Sequence, residues 1–163
     1  MSLYPVHKQN TGFTLIEVIV VTIIVGIIAA ISVPNFFGLL QRYRVTEALS
    51  SIEGALREGQ KQAERDGSSC ELTINTANDL VSGDCLLNTR TLANNVELYS
   101  NAATLTFSAK GTASSAVMVV QMPAGGTNAR KCLVINSLGI IKTGDFTADP
   151  ATDTNLVPGN CNA

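Results

Sequence analysis

Apolar residues are concentrated in one block near the start of the chain. From residue 13 to residue 40, 20 of 28 side chains are apolar, and the 24 positions between Glu17 and Arg42 carry no charge. A helix with that many residues, rising about 1.5 Å per residue, is about 36 Å long and exceeds the roughly 30 Å core of a bilayer. The pattern predicts a transmembrane helix.

A second helical pattern follows this block. Apolar residues recur on one helical face at positions 45, 49, 52, 56 and 63, and most charged residues of the same stretch lie off that face. The sequence Asp66-Gly67-Ser68-Ser69 is typical of a helix end. We therefore predict one long helix that is apolar all round in its first half and amphipathic over residues 42–65.

Beyond residue 70 the pattern changes to that of short strands. The predicted strands are 70–74, 96–99, 104–108, 116–122, 132–136 and 139–142. They indicate a small, mainly antiparallel sheet within residues 70–145, with the amphipathic helix on one face and a polar, turn-rich tail after it. The expected fold class is α+β, a long N-terminal helix packed on a small antiparallel β-sheet head.

Composition and charge narrow the possible functions. The chain is 45% hydrophobic and only 15% charged, which fits neither a disordered protein nor a simple soluble enzyme. Its net charge of −2 weakens any argument for nucleic-acid binding, which needs a basic surface. The single histidine, His7, precedes the apolar block, and no catalytic constellation is visible, so we expect no enzymatic activity and no cofactor.

The flanks of the apolar block bear on membrane topology. Lys8 precedes it, so the N-terminus is expected to stay cytoplasmic and the remainder to be exported. A cleaved secretory signal also begins this way, but its apolar region has only about 7–15 residues.

Glu17 lies near the start of the span, where a carboxylate is costly. Either the helix dipole favours it there, or it pairs with a positive charge on another chain.

The apolar block opens with Gly12-Phe13-Thr14-Leu15-Ile16-Glu17-Val18 and runs to Ala29-Ala30-Ile31-Ser32-Val33-Pro34. This order and spacing resembles the class III signal of type IV pilins and pseudopilins. The later strands, with Leu105-Thr106-Phe107 followed by a buried strand and then residues 131–136 leading into Gly139, resemble the H-type pseudopilins of type II secretion. They resemble the FimT-like minor pilins equally.

The resemblance implies roles for individual residues. A membrane prepilin peptidase is expected to cleave between Gly12 and Phe13, to release the leader 1–12 and to methylate the new amine of Phe13. Glu17 is expected to pair with the N-terminal amine of a neighbouring subunit during assembly. Pro34 is expected to kink the helix, since proline removes a helical hydrogen bond; a plain helix end is the alternative.

The resemblance also implies an organisation and a function. After the leader, residues 13–41 form the transmembrane and filament-core helix, and residues 42–163 form the exported head. The protein is expected to be a structural or assembly subunit, a minor pilin or pseudopilin, of a type IV pilus or a type II secretion pseudopilus. It is expected to cross the bacterial inner membrane once, with the head in the periplasm, before other pilins or pseudopilins pack against its helix.

DNA uptake is the alternative function. FimT-like minor pilins that bind DNA carry a C-terminal element of the form Gly-Arg-x-Arg, and this chain has Gly139-Ile140-Ile141-Lys142 at the comparable place. The first basic residue is therefore missing. Arg130, Lys131 and Lys142 are the candidate DNA contacts that remain.

The cysteines and a group of acidic residues offer further candidates. Four cysteines in an exported domain predict two disulfides with three possible connectivities, of which Cys70–Cys85 with Cys132–Cys161 is the most local. Free thiols and a zinc site are alternatives, although the chain lacks a Cys-x-x-Cys pair. Calcium is a further possible ligand because oxygen-bearing side chains recur near the C-terminus, at Asp145, Asp149, Asp153 and Asn155. Their spacing fits no EF-hand, and a solvated acidic tail is the simpler interpretation.

Overall fold

A computed structural model of the protein describes residues 12–93, 95–123, 129–151 and 156–162, without the side chains of 33–35. The predicted leader therefore lies outside the described residues except for Gly12. Asp153 and Asn155 of the possible calcium site also lie outside them. The side chain of Pro34 is not described, so its kink stays a prediction.

One long helix, α1, spans Leu15–Asp66, close to the predicted length. The chain divides into two units, one ending at Phe37 and the other beginning at Gly38. In the second unit, α1 buries the predicted apolar face against the head. The predicted residues Val45, Leu49, Ile52, Leu56 and Ala63 are buried, and so are Ala48 and Ala55 beside them.

The strands of the described head form two antiparallel sheets. The first sheet has the strand order β3-β2-β1-β5 and the second the order β4-β6-β7-β8-β9. The strands are β1 Cys70–Asn75, β2 Leu80–Ser82, β3 Arg90–Thr91, β4 Glu97–Ser100, β5 Thr104–Phe107, β6 Ala116–Gln121, β7 Arg130–Ile135, β8 Ile141–Phe146 and β9 Cys161–Asn162. The α+β fold class is confirmed.

The prediction of a single sheet was wrong. β5 pairs with β1, whereas β4 pairs with β6, so the two sets of strands do not join. On the outer edge of β4, the N–H of Leu98 donates to the carboxylate of Asp79 at 2.7 Å. Asp79, in the turn between β1 and β2, thus accepts a hydrogen bond that a neighbouring strand would otherwise accept, and β4 remains the edge of its sheet.

α1 and both sheets share one apolar core. The inward residues of the first sheet include Leu72, Leu105 and Phe107, and those of the second include Leu98 and Met118. All five are at most 2% exposed. Because the helix covers both sheets, the head from Gly38 onward contains its own hydrophobic core.

A second, smaller core lies on the other face of the second sheet. Every residue of β6 is buried, since its alternate side chains Val117 and Val119 enter this second core. Phe146, Leu156 and Cys161 from the C-terminal segment cover them. The prediction of a polar tail was therefore wrong: a few isolated apolar residues of this segment pack on the sheet, where sequence periodicity could not reveal them.

Candidate processing and assembly site

The predicted cleavage position lies directly before α1. Gly12 and Phe13 precede the helix, and the Phe13 side chain is 83% exposed. Thr14 caps the helix: its carbonyl oxygen accepts the N–H groups of Glu17 at 3.1 Å and of Val18 at 3.2 Å. The structure thus brings Gly12, Phe13 and Glu17 to within a few residues of the same helix start.

Thr14 and Glu17 form a reciprocal pair of hydrogen bonds. The Glu17 N–H donates to Thr14 Oγ1 at 3.3 Å, and the Thr14 N–H donates to Glu17 Oε2 at 3.4 Å. This arrangement is a capping box, which satisfies two backbone donors that a helix start otherwise leaves unpaired. Sequence analysis missed Thr14, although the Thr-x-x-Glu spacing is the sequence signature of this motif.

An exposed apolar surface follows the cap. The segment Leu15–Ser32 has a mean hydropathy of 2.8, and 0% of it is buried within the chain. By length and composition it is long and apolar enough to cross a membrane, and it is the one such helix among the residues that the structure describes. Isoleucine and valine side chains that are about half exposed or more cover it, and an exposed apolar surface of this size is typical of a membrane or protein interaction site.

Two disulfides hold the head together. Cys70 at the start of β1 is joined to Cys85 after β2, and Cys132 in β7 is joined to Cys161 in β9. Of the three possible connectivities, this one is the most local. The second bond ties the C-terminal segment to the sheet that it covers, and none of the four cysteines is free.

The candidate DNA contacts are largely paired with carboxylates. Arg130 lies 3.0 Å from Asp149, and Lys131 lies 2.6 Å from Asp145. Lys142 is exposed on β8 and has no ion pair within the part of the chain that the structure describes. The three cations thus form no continuous unpaired basic patch, and DNA binding stays a prediction.

The same ion pairs occupy two carboxylates of the possible calcium site. Asp145 and Asp149 each face a cation, which competes with a metal for their oxygens. Over residues 12–93, 95–123, 129–151 and 156–162, no group of three or more His, Cys, Asp or Glu residues could hold a metal ion.

A polar network crosses the second sheet beside these pairs. The Tyr99 hydroxyl donates to Glu97 at 2.9 Å, and Arg130 Nε donates to the side-chain oxygen of Gln121 at 3.2 Å. Burial raises the pKa of Tyr99, and the hydrogen bond and negative charge of Glu97 raise it further. The network links three strands and, through Arg130 and Asp149, the C-terminal segment.

Comparison with known protein families identifies the N-terminal segment. Residues 7–33 match the prokaryotic N-terminal methylation motif. The segment is similar to a prepilin-type signal. The match includes Gly12, Phe13 and Glu17, and it confirms the resemblance to type IV pilins and pseudopilins.

Curated relatives match part of the chain. The type IV major pilin protein PilA of Myxococcus xanthus is 44% identical over 55 residues, which are 34% of this chain and 24% of that protein. The type II secretion system core protein G of Klebsiella pneumoniae is 40% identical over 52 residues, or 30% of this chain and 37% of that protein. The chain thus spans only about a quarter to two fifths of the curated relatives it matches.

Solved structures extend the likeness to the head. The type IV minor pilin FimU of Pseudomonas aeruginosa superposes with a TM-score of 0.55 at 16% identity, over 64% of this chain and 90% of that one. The minor pseudopilin EpsH of Vibrio cholerae gives a TM-score of 0.55 at 12% identity, over 61% of this chain and 95% of that one. At these identities the comparison shows that the fold is that of the pilin-like proteins.

Proposed function

We propose that this protein is an assembly subunit, a minor pilin or pseudopilin, of a type IV pilus or a type II secretion pseudopilus. The observation that carries the proposal is the prepilin-type signal placed on an apolar helix that the chain itself does not bury. The apolar surface of such a helix is buried in lipid before assembly and against other helices after it. The pilin-like head supports the same conclusion.

The proposed route begins in the inner membrane. The helix crosses it once with the N-terminus in the cytoplasm, as Lys8 favours, and the head lies in the periplasm. The oxidising periplasm suits the two disulfides of the head. A prepilin peptidase then removes residues 1–12 and methylates Phe13, and residues 13–41 serve as the filament-core helix while residues 42–163 form the head.

Glu17 is proposed to guide assembly. A carboxylate in an apolar helix is costly unless a positive charge neutralises it. Cleavage before Phe13 creates an amine four positions from Glu17, and the amine of a neighbouring subunit supplies the charge. The protein acts as a structural subunit with no enzymatic role, and its partners are the peptidase and other pilins or pseudopilins.

The variant Glu17→Ala tests this function. We expect the leader to be removed as in the wild type, whereas the amount of protein in isolated filaments falls at least tenfold. Glu47→Ala, which removes an exposed carboxylate of the head, is the control and should enter filaments normally. If Glu17→Ala subunits enter filaments as well as Glu47→Ala subunits, pairing with the neighbouring amine is not required.

A further inference from the structure

The bond between Gly12 and Phe13 lies just outside the hydrogen-bonded part of α1. In an α-helix each carbonyl accepts the N–H four residues later. Because Thr14 is the cap, the first carbonyl that α1 uses is that of Thr14. A helix that started two residues earlier would commit the Gly12 carbonyl to the N–H of Ile16.

The described residues around Gly12 leave room for a side chain at that position. Among the described residues, no atom lies within 4 Å of where a Cβ on Gly12 would be. The Gly12 backbone has no positive φ that only glycine tolerates. Among the described residues, neither packing nor backbone conformation requires a glycine at position 12.

We propose that Thr14 is a positioning residue for removal of the leader. Its hydroxyl accepts the Glu17 N–H, a bond that Glu17→Ala retains, and this cap ends the helix immediately after the scissile bond and so keeps the Gly12 carbonyl accessible to the peptidase. This inference rests on the proposed function. In the reaction, water adds to the Gly12 carbonyl carbon, the C–N bond to Phe13 breaks, Gly12 leaves as a carboxylate and Phe13 keeps a protonated amine.

The membrane gives the cap its importance. Where water is scarce, a backbone group released from a helix finds no new partner, so unwinding a helical scissile bond is costly. A chain without the cap has an α-helix that can continue through Phe13, and the peptidase must unwind it. Loss of a threonine cap typically changes helix-end stability by an amount equivalent to about a fivefold change in population.

Thr14 variants of the full-length chain distinguish the effect of helix capping from the effect of side-chain shape. Serine and asparagine cap helices well, whereas alanine and valine do not, and valine has nearly the shape of threonine. The chains are placed in lipid vesicles with a purified prepilin peptidase, and kcat/KM is measured together with the intact mass of the product. We expect Thr14→Ser and Thr14→Asn to be cleaved at the wild-type rate, and Thr14→Ala and Thr14→Val about fivefold more slowly.

The outcomes distinguish this inference from the proposed function. Membrane insertion and both disulfides should be unchanged in all four variants, so a slower reaction does not reflect a misfolded head. If Thr14→Val is cleaved normally and Thr14→Asn slowly, the peptidase recognises side-chain shape and the inference is overturned. If the wild-type chain is not cleaved after Gly12 at all, the proposed function itself fails.

Discussion

At the scale of single residues, Gln60 joins α1 to two turns of the head. Its Nε2 donates to the carbonyl of Gly111 at 3.0 Å and to that of Gly139 at 3.2 Å. Both glycines have positive φ, 78° and 77°. A Cβ on Gly139 would lie 1.9 Å from the Gly111 carbonyl oxygen, so the turns approach too closely for any other residue at that position.

Replacing Gln60 should therefore destabilise the head. Gln60→Ala leaves two buried carbonyl oxygens without their donor, and we expect the free energy of unfolding to fall by about 1–3 kcal/mol. Urea unfolding of the head from Gly38 onward measures it. Gln62→Ala is the matched control, because its partner Asp66 is exposed, and it should change the value by less than about 0.5 kcal/mol. Equal effects for the two variants would contradict this role of Gln60.

Tyr99 gives the head a dependence on alkaline pH. Its pKa is higher in the folded head than in the unfolded chain because burial and Glu97 disfavour the phenolate. The stability that the neutral phenol contributes is therefore present below about pH 10 and is lost as the pH rises through the higher folded-state pKa. In the Tyr43→Phe head, where Tyr99 is the one tyrosine left, ultraviolet titration should show a higher pKa for Tyr99 in the folded head than in the urea-unfolded head. Glu97→Gln should lower the pKa of Tyr99 only part of the way, because burial is the larger cause, and an equal pKa in the folded and unfolded head would refute the shift.

At the scale of elements, the C-terminal segment, described over residues 146–151 and 156–162, packs over the second sheet and is called the strap here. Phe146 and Leu156 cover Val117 and Val119, and the strap is anchored by the bond between β7 and β9. Closing a loop of 29 residues constrains the unfolded chain by roughly 3–4 kcal/mol on the chain-entropy model. The disulfide and this apolar cluster thus add to the pairing of β9 with β8 and to the Arg130–Asp149 ion pair in holding the strap.

Removing the disulfide between Cys132 and Cys161 should destabilise the strap more than the rest of the head. In Cys132→Ser with Cys161→Ser, we expect the free energy of unfolding to fall by about 2–5 kcal/mol and hydrogen exchange to accelerate in β9 and β8. The helix face and β1 should stay protected. Cys70→Ser with Cys85→Ser is the control and should accelerate exchange in β1 and β2 instead. Uniform acceleration in both double variants would mean that the strap is not a separate element.

The elements differ in how well the sequence predicts them, and the reasons are physical. β1 and β5 alternate because one face is buried, and the continuous apolar run of β6 follows from burial on both faces. β2, β3 and β9 have only two or three residues, too few for any periodicity, and are held by backbone pairing with neighbouring strands. The sequence pattern alone places Gly12, Phe13 and Glu17 in the N-terminal motif, and their roles stay predictions. The ion pairs of Arg130 and Lys131 depend on tertiary structure and could not be predicted.

At the scale of the whole molecule, ion pairs reduce the positive charge that the head can offer to DNA. The chain carries a net charge of −2, and Asp149 and Asp145 face two of the three candidate cations. We expect the head to bind duplex DNA weakly even at low salt, in a fluorescence anisotropy titration. Asp145→Asn with Asp149→Asn should tighten binding severalfold by releasing Arg130 and Lys131. Tight binding by the wild type that Arg130→Ala with Lys142→Ala abolishes would show that the pairing does not prevent DNA contact.

The central claim is that the chain is a prepilin whose mature form begins at Phe13. The intact mass of the protein from membranes of cells with and without a prepilin peptidase tests it most directly. We expect that residues 1–12 are missing and the new amine carries a methyl group when the peptidase is present, and that the full chain remains when it is absent. An identical mass in both strains, or a cut at any other bond, would contradict the account.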